Sequence, residues 1–225
     1  MAKLYVVSTP IGNLKDISQR AIETLKEVDL ILCEDTRTTK KLLNYYQISK
    51  PTSSYHQHSR LNKSEFILKQ LRGGKNLALV SDAGAPTISD PGAKLIDYLI
   101  GQMPDLEIIS LPGPAAVIAA LSVSGFSADK FIFLGFPPIK NKRKKFFQEV
   151  AGAKYTVVFY ESTHRILKTL GELKEILSPE RKIVVCRELT KKFETIYRGN
   201  AEEVITQLEQ GKTKGEFVVI VERKK

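Results

Sequence analysis

No stretch of this sequence stays apolar for the roughly 20 residues that cross a bilayer, so no transmembrane segment is expected. The opening MAKLYVVSTPIGN has too short an apolar run for a signal peptide and passes straight into strand-like sequence, which predicts a cytoplasmic protein. Cysteine is scarce. Cys33 and Cys186 end the apolar runs LILC and IVVC and read as buried strand residues rather than a redox pair. No CxxC and no His/Cys ligand spacing occurs, so no structural metal is predicted. GxGxxG and the phosphate-gripping GxxxxGK(S/T) are both missing, which excludes the common dinucleotide and P-loop folds. No internal repeat has a fixed period.

What is present points to a globular chain. Of 225 residues, 42% are hydrophobic and 27% charged, enough apolar content for a real core and too much for disorder. The net charge of +10 favours polyanionic partners, though it counts only beside a site that acts on one.

Strand and helix signals alternate along the first half. Strands are predicted at residues 3–7, 29–33, 51–55, 76–81 and 106–110. Helices are predicted after Asp16, with Gln19 completing a capping box, then over 36–46, 63–72 and 92–100, and from Pro114 as first helical residue to Gly125. This rhythm implies an α/β fold: a mostly parallel sheet with helices on both faces. The second half has strands at 131–136, 155–160, 182–186, 194–198 and 216–221. A basic helix is predicted from near Asn141, a helix behind Thr163, and one opened by an Asn200/Glu203 capping box. Strands that follow one another without a helix around residues 188–195 suggest a mixed sheet. The small and turn-forming SVSGFSADK places the domain boundary near 122–130, giving an N-terminal α/β domain over 1–124 and a C-terminal α/β domain over 125–225.

The most informative segment is SDAGAPTISDPG, residues 81–92, directly after a buried strand. Gly84 between Ala83 and Ala85 admits close approach of a ligand to backbone, while Pro86 and Pro91 stiffen the loop. Two Pro, two Gly and two Asp exceed what a turn needs. STPIGN at 8–13 and LPGPAA at 111–116 are similar turns after other strands. Three stiff small-residue loops on the carboxyl edge of a sheet describe a binding cleft for a flat or folded cofactor.

Together with EDTRTT, FYESTHR and the closing GEFVVIVE, these motifs resemble the tetrapyrrole methylase superfamily over nearly the whole chain. Within it they resemble the branch that methylates the ribose 2′-hydroxyl of a cytidine in the decoding centre of 16S ribosomal RNA. The resemblance implies a two-domain fold, S-adenosylmethionine as cofactor, folded in a cleft between the domains, and a homodimer. The implied substrate is free 16S rRNA or the assembled small ribosomal subunit. It implies cofactor contacts from Pro10, from Asp82, Ala83, Gly84, Ala85 and Ile88, from Ala115 and Ala116, and from Glu161 and Leu189. Many tetrapyrrole-acting relatives carry Gly-Asp-Pro where this chain has Gly84-Ala85-Pro86, which turns the reading from a precorrin-type methylase, the alternative, toward RNA.

Methyl transfer to a hydroxyl needs alignment of donor carbon and acceptor oxygen and a group that receives the hydroxyl proton. The catalytic candidates are Glu34, Asp35, Arg37 and Arg165. Two readings stand for the first three: a functional cluster, or Asp35 as helix cap with Glu34 paired to Arg37. Asp82 and Asp90 likewise either serve the site or brace its loop. Arg165 suits a phosphate, a ribose or a carboxylate. His56 and His58 sit in a polar loop and are either solvated or proton acceptors. Arg187 and Glu188 read as an ion pair. The run KNKRKK supplies Lys140, Lys142, Arg143, Lys144 and Lys145, either a solvated helix start or an RNA phosphate contact.

Overall fold

The computed structural model describes residues 2–55, 61–90 and 92–224. Within them the chain divides into two compact units between Ala115 and Ala116.

The first unit is built on a five-stranded parallel sheet, ordered β3-β2-β4-β1-β5, from β1 (Lys3–Val7), β2 (Leu30–Cys33), β3 (Thr52–Ser54), β4 (Leu77–Val80) and β5 (Glu107–Leu111). The runs LILC and LALV are buried at every position, as expected of parallel strands covered on both faces. Their side chains alternate between two cores. Leu30, Leu32, Leu77 and Leu79 pack with α3 (Leu61–Arg72) and α4 (Ala93–Gln102), through Ile67, Leu71, Leu95 and Leu99. Ile31, Cys33, Ala78 and Val80 pack with α1 (Gln19–Glu27) and α2 (Thr36–Tyr45), through Ala21, Leu25, Leu42 and Leu43. In register, Val7 lies opposite both Val80 and Leu111, so three strands end level and their following loops leave from one edge.

The second unit holds a five-stranded mixed sheet, ordered β6-β7-β10-β8-β9. Its strands are β6 (Phe131–Phe133), β7 (Thr156–Ser162), β8 (Ile183–Arg187), β9 (Thr195–Gly199) and β10 (Glu216–Val221). Only the β6–β7 pair is parallel. One face packs on α6 (Arg143–Gly152), α7 (Ile166–Ile176) and α8 (Ala201–Glu209), around Phe147, Phe159, Leu170 and Val204. Helix α5 (Ala116–Ser124) packs against β7 and β10.

Most predicted elements are present within two or three residues, including the Asn200/Glu203 capping box. Some details differ. The Asp16/Gln19 box does not form: the Asn13 carboxamide caps a single 3-10 turn at Leu14–Asp16, and α1 restarts behind Ser18, whose hydroxyl accepts from Ala21 N at 3.2 Å. Helix α5 begins at Ala116 rather than Pro114, because residues 112–115 stay against the loop after β4 with the Pro114 carbonyl close over Gly84. The basic helix opens at Arg143, behind a left-handed Lys142 with φ 66°. The boundary precedes the expected 124/125 because α5 joins the second sheet.

Candidate functional site

The loops after β1, β2, β4 and β5 meet at the carboxyl edge of the parallel sheet and are bonded to one another. Thr9 and Gly84 exchange backbone hydrogen bonds at 2.9 and 3.0 Å. The Thr9 hydroxyl donates to Ser81 O at 3.1 Å, and the Ser81 hydroxyl to Gly84 O at 3.1 Å. Ser8 N donates to Leu111 O at 3.2 Å, and Gly113 lies so near Ser8 that an added Cβ would come within 2.9 Å of the serine Cβ. Asp35 N donates to Asp82 Oδ1 at 3.0 Å, tying in the loop after β2. Asp82 therefore braces the rim, one of its two expected roles.

The rim is conformationally demanding. Gly84 has φ +82°, Thr87 and Ser89 are left-handed at 76° and 62°, and Gly92 stands at +133°. Left-handed backbone in β-branched or polar residues costs energy and persists only where neighbours impose it. Pro10 is buried beneath the rim, whereas Ala83 and Ile88 are exposed and Ala85 and Ala115 half-buried. Pro91, His56 and His58 lie outside the described residues.

The acidic candidates separate. Asp35 caps α2 and grips Arg37 through both carboxylate oxygens, the shortest contact being 2.7 Å. The hydrogen bonds from Arg37 hold the Asp35 carboxyl down at about 2. Arg37 thus pairs with Asp35, not with Glu34 as expected, because the capping aspartate sits two residues before it on the same turn. Glu34 is left differently: Oε1 is buried with no hydrogen-bond partner among the described residues. Burial, then the charges of Asp90 and Asp82, push its carboxyl up to about 7. Burial lifts Asp90 to about 6, against a bond from Ser81. Asp90 completes an acidic set with Glu34 and Asp82 that no local sequence signal identifies, since strands β2 and β4 bring it together.

In the second unit, several candidates are absorbed by the fold. Glu161, 2% exposed, pairs with Arg165 at 2.8 Å and accepts from the Thr169 hydroxyl at 2.6 Å and from Ser162 N at 2.7 Å. Arg165 also donates to the Ser162 hydroxyl at 3.1 Å and to Pro137 O at 2.9 Å. Arg143 is only 6% exposed: it pairs with Glu172 at 2.7 Å and donates to Thr169 Oγ1 at 2.7 Å and Pro138 O at 3.0 Å. It is thereby corrected from a surface cation to a buried one, while Lys140, Lys142, Lys144 and Lys145 are exposed. Arg187 and Glu188 do not pair as expected. The Arg187 guanidinium donates to Lys214 O and Phe193 O, and Glu188 pairs with Lys191 at 2.9 Å. Leu189 is buried between Glu188 and Thr190, left-handed at φ 54° and 65°. Ala116 is the half-buried first residue of α5.

The family model of Tetrapyrrole (Corrin/Porphyrin) Methylases matches residues 3–205. A ribosomal RNA small subunit methyltransferase I of Synechocystis sp. is 46% identical over 98% of this chain and 79% of its own. The Bacillus subtilis protein of that name is 46% identical over 99% and 75%, and the Thermotoga maritima one 43% identical over 100% of each. Among solved structures, a cobalt precorrin-4 methyltransferase superposes with a TM-score of 0.73 at 18% identity, covering 98% of this chain and 94% of that one. A diphthine synthase superposes at 0.74 with 11% identity, covering 98% and 90%. These structures share the fold, while the strong sequence kinship runs to the ribosomal RNA enzymes. The chain belongs to the tetrapyrrole methylase family, in the branch of the ribosomal RNA small subunit methyltransferases I.

Proposed function

We propose that the protein transfers the methyl group of S-adenosylmethionine to the ribose 2′-hydroxyl of a cytidine in the decoding centre of 16S rRNA, acting in the cytoplasm as a homodimer. The reading is carried by the rim of bonded loops at the sheet's carboxyl edge, a preorganised small-residue cradle where open α/β folds bind ligands. The relatives at 43–46% identity, named for ribosomal RNA, support that substrate over a tetrapyrrole, and the net charge of +10 suits it. For location, no described helix is long and apolar enough to cross a membrane. For the dimer, the largely apolar α5 leaves Ile118 and Val123 exposed at 56% and 38%, apolar surface that a second copy would cover.

The rim residues fit the donor. Ala83, Ala85, Ile88 and Ala115 present small or apolar surface, Ile88 being 50% exposed, with Pro10 and Gly84 buried beside them. The orphaned Glu34 oxygen and the neighbouring Asp82 and Asp90 charges suit a positively charged ligand. When bound, the donor supplies an electrophilic methyl on a cationic sulfur. The chain must then orient the acceptor and take its proton. We assign the proton to Glu34, whose carboxyl near 7 matches the working pH and whose Oε1 has no competing bond among the described residues. Asp35 and Arg37 satisfy each other and serve to fix the start of α2.

Purified protein with labelled S-adenosylmethionine is expected to label 16S rRNA in small ribosomal subunits or as naked RNA. The label should appear in an alkali-resistant dinucleotide containing cytidine. Absence of transfer to both substrates would overturn the reading.

A further inference from the structure

The loop between β6 and α6 is gripped from inside by two arginines on consecutive carbonyls, Arg165 on Pro137 and Arg143 on Pro138, at 2.9 and 3.0 Å. Both guanidiniums belong to the network that runs through Glu161, Thr169 and Glu172. Charged donors on adjacent carbonyls, with two prolines restricting φ, make this loop rigid. What it displays is apolar and exposed: Phe136 at 52% and Ile139 at 71%. The Phe136 ring rests against Tyr160 at 5.3 Å, and Tyr160 meets Phe133 edge-on at 4.9 Å, so the ring is backed by protein on one side. Four exposed lysines follow directly, at 140, 142, 144 and 145. The mechanism has no use for any of this, yet the structure commits two arginines to holding it.

An open aromatic ring beside a row of cations is the combination that binds single-stranded nucleic acid, bases stacking on the ring and phosphates meeting the ammonium groups. Among the other exposed rings, Phe193 at 56% already has Lys192 and Lys212 of its own chain over it at 5.6 and 5.0 Å. We propose that the segment from Phe136 to Lys145 is a platform for single-stranded RNA. Phe136 stacks on a base, the four lysines contact phosphates, and Arg143 and Arg165 are positioning residues that never touch the RNA. The proposal rests on the RNA reading above.

Fluorescence anisotropy with a labelled unstructured RNA of roughly 20 nucleotides tests it, without any methyl donor. Phe136→Ala should weaken binding about tenfold, and Phe136→Trp should restore it. Ile139→Ala, at a more exposed position, should weaken it in the same direction. Replacing the four lysines by Gln should flatten the salt dependence, by about 0.7 in slope for each phosphate no longer neutralised. In turnover, Phe136→Ala should raise KM for RNA and leave kcat and donor affinity unaltered. Wild-type affinity in Phe136→Ala and in the lysine variant would overturn the platform, as would a loss confined to Phe193→Ala. A loss seen with assembled subunits but not with naked RNA would also overturn it, and would assign the surface to a ribosomal protein. Phe136-dependent RNA binding by a protein that methylates no RNA would support the platform while sinking the proposed function.

Discussion

Thr9 and Gly84 face each other across an isolated antiparallel bridge, each donating its backbone N–H to the other's carbonyl. Every strand of the adjoining sheet is parallel, so this reversed pair is an exception that rivets the loop after β1 to the loop after β4. Loops at a sheet edge are ordinarily the mobile part of an α/β unit. Here they share backbone bonds, and a ligand resting on them meets a surface ordered before it arrives.

Gly84→Ala should therefore affect binding beyond its effect on stability. The new Cβ would meet Ile11 Cγ2 at 3.4 Å, an ordinary contact, so the cost is the left-handed backbone at φ +82°, about 1 kcal/mol. Gly74 supplies the control: its φ is +84°, its surroundings are open, and it sits behind α3 rather than on the rim. Both Ala variants should lower the melting temperature by similar amounts. Calorimetric titration of S-adenosylmethionine should weaken about tenfold for Gly84→Ala and stay unchanged for Gly74→Ala. Equal donor affinity in the two would remove the loop from the cofactor site.

Gly113→Ala fails for a steric reason instead. Its Cβ would stand 2.9 Å from the Ser8 Cβ and 3.4 Å from the Ser8 carbonyl oxygen, so the loops after β1 and β5 must part. Such overpacking costs about 1–3 kcal/mol. Because the clash is with one side chain, adding Ser8→Gly should recover part of the loss. Denaturant unfolding of the two single variants and the double variant should give a favourable coupling energy; strict additivity would show that the contact does not set the loop spacing.

Glu34 yields a pH prediction with a definite sign. Its folded-state carboxyl is raised to about 7, by burial first and by Asp90 and Asp82 next. A raised carboxyl binds its proton more tightly folded than unfolded, so this group stabilises the protein in acid, and that contribution fades as pH climbs toward 7. Glu34→Gln should leave the melting temperature little changed at about pH 5 and raise it at about pH 8, where the wild type carries the buried charge. The same variant should slow methyl transfer at least about a hundredfold, the scale of a lost general base. Donor affinity in the wild type should rise from about pH 5 to 8, as Glu34 and Asp90, at about 6, ionise to face a cationic ligand. A melting temperature that fell in Glu34→Gln at the higher pH would show that the bonds to the carboxylate, such as that from the Asp82 backbone, outweigh the cost of burying it.

The parallel sheet was legible because its strands are short, wholly apolar runs separated by helical periodicity, and LALV before SDAGAPTISDPG announces a loop at a strand end. What could not be read is pairing across the chain. Nothing near Thr9 signals Gly84, and nothing near Glu34 signals Asp90, because both relationships are created by β1, β2 and β4 lying side by side. Local rules also mislead where two candidates compete: Asp35 and Glu34 both stand within reach of Arg37 in sequence, and the helix cap geometry decides for Asp35. FYESTHR, one of the motifs that carry the resemblance, spans the end of β7 and the turn into α7. Its Glu161 and Arg165 turn inward to each other, an orientation that depends on Thr169, one helical turn further on, and on the Pro137 carbonyl, 28 residues from Arg165.

Arg143 and Lys144 are neighbours in one basic run, and the fold gives them opposite fates. Arg143 is buried, paired with Glu172 and bonded to Thr169 and Pro138, whereas Lys144 is exposed. Arg143→Met removes the donor for a half-buried carboxylate and frees the loop carbonyl, and should destabilise the protein by about 2–3 kcal/mol. Lys144→Met should cost under about 0.5 kcal/mol, as surface changes do. RNA affinity should invert the comparison in kind. Lys144→Met should reduce the salt slope at every temperature where the protein is folded. Arg143→Met should keep the wild-type slope while weakening binding through a loosened platform. Parallel melts and salt titrations on the two variants separate the cases, and a reduced slope in a fully folded Arg143→Met protein would return that arginine to the RNA surface.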